Sequence, residues 1–230
     1  MSYPGSKGQD GVWQRIIGQM RPHDVYIEGF AGSAKIFRIK KRATVSYLFD
    51  KDPGAASALG LEFIGRENVF VENCNFIEWL QTTCLKQIFE GSVIYCDPPY
   101  PLSTRKGREY YRHEMTDEDH VALLSALAAV KADVLISGYP CPLYDEALKD
   151  WRCIRYRTRT RGATVTECLW CNFPEPEVLH DWRFAGGNYR QRLYLSRLKK
   201  RWLAKLARME PRQRGFVLNA ITETYYAKAH

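Results

Sequence analysis

The chain has 230 residues, and its 34 Lys and Arg outweigh 26 Asp and Glu to give a formal net charge of +8. Hydrophobic residues at 45% and charged residues at 26% are ordinary globular values; they exclude wholesale disorder and leave material for a real core. No apolar run reaches the ~18 residues of a membrane-spanning helix.

Through the first 150 residues, short strand-like runs alternate with helical periods. Strands are predicted at Val25–Gly29, Val45–Asp50, Val69–Glu72, Val93–Asp97 and Val134–Ser137, each β-branched or aromatic and each ending in polar or Gly residues. Between them, Pro53–Ile64 follows Asp52 as an N-cap with Pro at the first helical position. Phe76–Phe89 and Asp117–Val130 carry apolar residues at helical spacing, and Thr116 with Asp119 forms a capping box in which Asp stands for the usual Glu. Such alternation predicts an α/β fold, a mostly parallel sheet with helices on both faces and ligands beyond the carboxyl ends of the strands. After Trp151 the pattern changes. Cys153–Thr160 and Thr164–Phe173 read as longer strands joined at Arg161-Gly162-Ala163, an antiparallel hairpin. Pro174 to Asn188 is a connector. Tyr189–Met209 then sets Leu195, Leu198, Trp202, Leu206 and Met209 on one helical face among Arg and Lys, and Pro211 starts a second helix. Residues 1–150 have a net charge of −3 and residues 151–230 one of +11, an asymmetry that suits contact between the C-terminal part and a polyanion.

The sharpest motif is Asp97-Pro98-Pro99-Tyr100, directly after the apolar run SVIYC. Two prolines fix φ and remove two N–H donors, so the Asp97 carboxylate and the Pro98 carbonyl are left as acceptors beside a flat ring. An exocyclic amine on a planar base needs that arrangement. Its lone pair is delocalised into the ring, and two acceptors on its hydrogens release it for attack, with Tyr100 stacking on the base. Glu28-Gly29-Phe30-Ala31-Gly32-Ser33-Ala34 follows the first strand, and its small residues permit a tight turn against a ligand. It lacks the full G-x-G-x-x-G fingerprint, which argues against a dinucleotide oxidoreductase. Asp50 ends the second strand, where an acidic side chain suits a ribose diol, and the two features indicate a nucleoside-containing cofactor. Tyr3-Pro4-Gly5-Ser6-Lys7-Gly8 is a glycine-rich element suited to clamping a small carboxylate. Asn75-Phe76 suits an adenine, by hydrogen bond and ring packing, although Phe76 fits a core equally well. Cys168-x-x-Cys171 has no further ligands at metal spacing and reads as strand packing, so no metal is expected. The seven cysteines, odd in number and scattered, read as reduced thiols. With no apolar leader in MSYPGSKGQD, a cytoplasmic location is expected. His113 and His120 read as surface or helix residues, since the amine chemistry needs no histidine.

In this order YPGSK, EGFAGSA, Asp50, Asn75-Phe76, DPPY, VLISG and TECLWCNF resemble the S-adenosylmethionine-dependent DNA adenine-N6 methyltransferases of the Dam-like alpha group, of the phage or prophage type. The resemblance covers about residues 1–173 and implies a class I, Rossmann-like methyltransferase domain there, with 174–230 a linker and a basic helical extension that binds nucleic acid. It implies S-adenosylmethionine as cofactor, DNA as partner (a duplex with a flipped adenine, or a single strand), and a monomer with a dimer as alternative. The implied setting is restriction–modification or phage protection. Lys7 and its neighbours Tyr3, Pro4, Gly5 and Ser6 would meet the methionine end of the cofactor. Glu28, Phe30, Gly32 and Ala34 would border it, and Asp50 would hold the ribose. Asp97 to Tyr100 would hold the target adenine. The family usually has Pro where Gly29 stands and Gly where Ala34 stands. It also carries a sizeable target-recognition domain where this chain has only Ile77 to Ser92. Basic and aromatic residues are the expected substitutes: Arg105, Lys106, Arg108, Tyr110 and Tyr111 after the DPPY corner, Arg159 and Arg161 in an arginine-alternating strand, and Arg197 and Lys200 in the C-terminal helix. Relaxed sequence specificity follows. An RNA base amino-methyltransferase, or a non-catalytic nucleic-acid-binding protein of the same fold, are the alternatives.

Overall fold

The computed structural model describes residues 11–82, 91–104, 112–159 and 164–225. Two compact units are present, Met1–Phe184 and Ala185–His230. The first is built in the order α1 (Val12–Ile17), β1 (Val25–Gly29), α2 (Lys35–Ile39), β2 (Val45–Asp50), α3 (Pro53–Glu62), β3 (Val69–Asn73), α4 (Phe76–Thr82), β4 (Ser92–Cys96), α5 (Asp117–Ala129), β5 (Asp133–Gly138), α6 (Pro142–Ala147), β6 (Arg152–Arg159) and β7 (Thr164–Cys171). The strands form one seven-stranded sheet in the order β3-β2-β1-β4-β5-β7-β6. β1 to β5 pair in parallel, and β7 inserts antiparallel between β5 and β6.

The inner strands of the sheet are buried on both faces, and strand alternation divides the core accordingly. Ile27, Phe49, Ile94, Ile136 and Trp170 point to one side, where they meet Phe76 and Leu80 of α4, Leu123 and Leu127 of α5, and Tyr144 of α6. Tyr26, Leu48, Tyr95, Leu135 and Leu169 point to the other and meet Ile16 and Ile17 of α1, Phe37 of α2 and Leu59 of α3. The predicted caps form. Asp52 accepts from the Gly54 and Ala55 amides at the start of α3. Thr116 and Asp119 exchange both bonds of the capping box at α5. α1, α2 and α6 were not expected; at six residues or fewer each they are too short to show a helical period.

The second unit contains α7 (Tyr189–Ala207) and α8 (Pro211–Tyr225). Asn188 caps α7 by accepting from the Gln191 amide. Neither helix buries a side chain. The apolar face predicted for α7 is therefore not a core face, and Trp202 is 53% exposed.

Candidate active site

Strand order reverses between β1 and β4, because the chain runs from β1 outward to β3 on one side and from β4 outward on the other. In such sheets the carboxyl ends at the reversal leave a crevice. Register brings Gly29 beside both Phe49 and Cys96, so Glu28, Asp50 and Asp97 arrive at one rim. They border one cavity of about 290 Å³. Its walls include apolar groups, Phe30, Phe49, Phe76 and Ile77, together with Lys35, Arg112 and His113.

The loop after β1 forms the floor. Phe30, Gly32 and Ala34 all have left-handed backbone, with φ of 61°, 50° and 48°. Two of the three carry side chains, and such strain persists where the surroundings impose it. Part of the imposition is visible: the Ala31 amide donates to the Phe49 carbonyl and the Gly32 amide to Asp50 Oδ2 at 2.6 Å. Phe30 and Gly32 border the cavity, whereas Ala34 is fully buried at the start of α2 and does not. Gly29 is needed for a close approach. A Cβ there would lie 2.5 Å from the Phe76 ring, which is itself packed against Phe30, Phe49 and Trp79. Phe76 is thus both core and cavity wall, and its bulk accounts for Gly at position 29.

Asp50 is nearly buried, and its second oxygen accepts from the Asp52 amide at 2.8 Å. Burial holds its carboxyl above the ordinary range, against the opposing pull of the two amides. Each carboxylate oxygen can still accept a further donor, so the side chain is fixed without being exhausted. Glu28 is 3% exposed and accepts from Tyr26 Oη at 2.8 Å and the Phe37 amide at 3.0 Å, both on Oε2. Burial pushes its carboxyl up to about 7. Asn75 borders the cavity too, but its side chain is engaged locally: Oδ1 accepts from the Ile77 amide and Nδ2 donates to Glu78, at the start of α4.

Asp97 and Pro99 face the cavity, while Pro98 and Tyr100 turn inward. Tyr100 is placed differently from a ring stacked on a base. It is 7% exposed, its ring lies 4.3 Å from that of Tyr139, and its hydroxyl donates to Glu167 and lies 3.4 Å from Asp97 Oδ1. The hydroxyl, held by a buried carboxylate, pulls the ring off the cavity wall. Glu167 itself was not singled out in sequence. The available signal is a charged residue beginning the buried run Glu167–Cys171 of β7.

His113 is also a cavity residue, half-buried, with Nε2 enclosed and without a hydrogen-bond partner among the described residues. His120 lies in α5 as expected but is fully buried, with Nδ1 3.0 Å from Tyr144 Oη. Cys168 and Cys171 are buried, and no cluster of three or more His, Cys, Asp or Glu suited to a metal is found among the described residues. Tyr3, Pro4, Gly5, Ser6 and Lys7, then Arg105, Lys106, Arg108, Tyr110 and Tyr111, and Arg161, lie outside the described residues. Arg155, Arg157 and Arg159 share the exposed face of β6, an edge strand, and Arg155 pairs with Asp145. Arg197 and Lys200 are exposed on α7. No helix among the described residues is long and apolar enough to cross a membrane.

The strand order, the antiparallel β7 between β5 and β6, and the crevice at the reversal define a class I methyltransferase fold. No protein-family model matches the chain, and no curated protein matches it in sequence. Its fold is similar to that of TrmN from Thermus thermophilus, with a TM-score of 0.50 and 14% identity over 70% of this chain and 47% of that one, so this chain spans about half of TrmN. An rRNA methylase from Streptococcus thermophilus (TM-score 0.41, 12% identity, 70% and 92% covered) and the 23S rRNA methyltransferase ErmE (TM-score 0.43, 13% identity, 81% and 82% covered) superpose less closely.

Proposed function

We propose that the chain is an S-adenosylmethionine-dependent methyltransferase acting on the exocyclic amino group of a nucleic-acid base, with adenine N6 in DNA as the substrate that the ordered motifs favour. The supporting observation is that Asp97-Pro98-Pro99-Tyr100 directly follows a strand at the sheet's reversal, and that its Asp97 and Pro99 share one cavity with Glu28, Phe30 and Gly32 of the left-handed loop, and Asp50. The cavity suits the cofactor. Its volume is near the lower bound of small-ligand pockets, about 300 Å³. Phe30, Phe49, Phe76 and Ile77 offer apolar walls for an adenine, Asp50 an acceptor for ribose hydroxyls, and Glu28 a carboxylate for a cationic group. When bound, the cofactor supplies an electrophilic methyl on a sulfonium.

The residues then have distinct tasks. Asp97 and the Pro98 carbonyl accept from the target amine and return its lone pair to nitrogen. The rigid corner aims that nitrogen at the methyl carbon, and positioning of this kind can supply about 7–11 kcal/mol of a barrier. A duplex base must first leave the stack, at a cost of a few kcal/mol. The arginines of β6 and the basic groups of α7 serve the backbone. Residues 185–230 hold 11 Lys and Arg against 2 Asp and Glu. Phosphate contacts carry no sequence information, so we assign relaxed specificity; confinement to one palindrome of about four bases or more in treated DNA would refute it.

Transfer of tritiated methyl to duplex DNA, single-stranded DNA and RNA tests this reading. The expected result is transfer to DNA, abolished by Asp97→Ala with cofactor affinity near that of the wild type by calorimetry. Transfer to RNA alone moves the substrate and keeps the chemistry. Nucleic-acid binding with no transfer to any of the three overturns the enzymatic reading, and an active Asp97→Ala overturns the role of Asp97.

A further inference from the structure

We propose that Glu167 is a positioning residue that acts through Tyr100 on Asp97 and is the final acceptor of the proton released by the target amine. This rests on the methyltransferase reading above. Register makes the encounter. Cys168 pairs with Gly138 at the end of β5, and Cys96 pairs with Ile136, so the residue before Cys168 and the residue after β4 meet at the same rim. The antiparallel insertion of β7 is what delivers a carboxylate there. Glu167 is 4% exposed and Tyr100 7%, so the pair is closed from solvent.

One hydroxyl stands between two carboxylates. A phenolic hydroxyl has a single proton to give. By distance it goes mainly to Glu167, and Asp97 Oδ1 at 3.4 Å is a longer, weaker contact of the same hydroxyl, which leaves a path between the two carboxylates. Burial first, then the charges of Asp97 and Glu167, hold the Tyr100 hydroxyl well above its ordinary range, so it stays protonated. After methyl transfer the amine nitrogen is positively charged and must lose a proton. The N–H bond breaks with its electron pair remaining on nitrogen, and an O–H bond forms at Asp97. That proton passes to the Tyr100 oxygen as the hydroxyl's own proton moves to Glu167.

Glu167→Gln, Tyr100→Phe and the double variant, made in the full chain, test the role by methyl transfer and cofactor calorimetry. Each single change is expected to lower kcat on the order of a hundredfold, the usual scale of proton-transfer catalysis. Cofactor affinity and the KM for nucleic acid should stay near the wild-type values. The double variant should be no slower than the slower single, because both cut one path. An unchanged kcat in Tyr100→Phe, losses that multiply, or a loss carried by KM and cofactor affinity would each overturn the role. If Glu167→Gln does not fold, Tyr100→Phe and Glu167→Asp decide alone, the latter expected to recover most of kcat. A wild-type chain that transfers no methyl refutes the functional reading and this role with it; an active wild type with unaffected variants refutes this role only.

Discussion

Glu28 is the cavity residue under the most opposed demands. Burial penalises its charge, Asp97 adds a second negative group, and Tyr26, the Phe37 amide and the more distant Lys40 oppose them. A carboxyl held at about 7 is raised from its unfolded value of 4.5, so its contribution to apo stability is complete below 4.5 and is lost as pH rises through 7. Cofactor binding has the opposite sign. A cationic ligand favours the ionised form, so affinity should rise as pH passes through 7, by up to about tenfold per unit below it, with a proton released on binding. Calorimetry at pH 6 and 8 in buffers of different ionisation enthalpy reads both, and Glu28→Gln should flatten the profile; a pH-independent affinity would remove Glu28 from the cofactor's surroundings. Asp50 differs, since two backbone amides orient it and it retains acceptor capacity. Asp50→Ala should weaken cofactor binding by about 1–3 kcal/mol through loss of charge-assisted hydrogen bonds. Because Asp50 also holds the Gly32 amide, part of that loss is loop order, which unchanged affinity in Asp50→Asn would expose.

At the scale of elements, most of the sheet was legible because its signals are local. Asp52 with Pro53 and Thr116 with Asp119 announce helix starts through side chains that reach only two or three residues. Glu28, Asp50 and Asp97 were legible for the same reason: each lies in the last two residues of a predicted strand. What escaped depends on pairing between distant segments. Nothing within Thr164–Cys171 states that it inserts between β5 and β6, so the meeting of Glu167 with Tyr100 could not be read. Gly29 is a similar case. In sequence it is a departure from a family motif; in the fold it is the gap that Phe76 fills. The Phe76 ring is braced on three sides and cannot swing away, so Gly29→Ala should cost about 1–3 kcal/mol as overpacking. For a domain of this size that is a fall of about 2–4 °C in melting temperature per kcal/mol. The same change in a Phe76→Leu background should cost clearly less; equal costs in the two backgrounds would show that the clash is relieved elsewhere.

For the molecule as a whole, two units of different character meet the question of how a substrate is captured. Arg190, Arg197, Arg201 and Arg208 recur along α7 and its end at seven- and four-residue steps, which stack them on one face. Leu195, Leu198, Trp202 and Leu206 run along another, and none of them is buried. A row of four guanidinium groups about 10 Å or less apart matches the charge density of a nucleic-acid backbone, where each neutralised phosphate contributes about −0.9 to the slope of log affinity against log salt for duplex DNA. Removal of residues 185–230 should therefore flatten that slope by about 3–4 and weaken binding most at low salt. Since α7 and α8 contribute no buried side chain, the truncated chain should keep its melting temperature and its cofactor affinity. Both are measured on the same preparation, by salt-dependent nucleic-acid titration and by thermal denaturation. A lower melting temperature with an unchanged slope would mean that the exposed apolar face of α7 supports the fold and that the arginines of β6 and the segment after Tyr100 carry the polyanion by themselves.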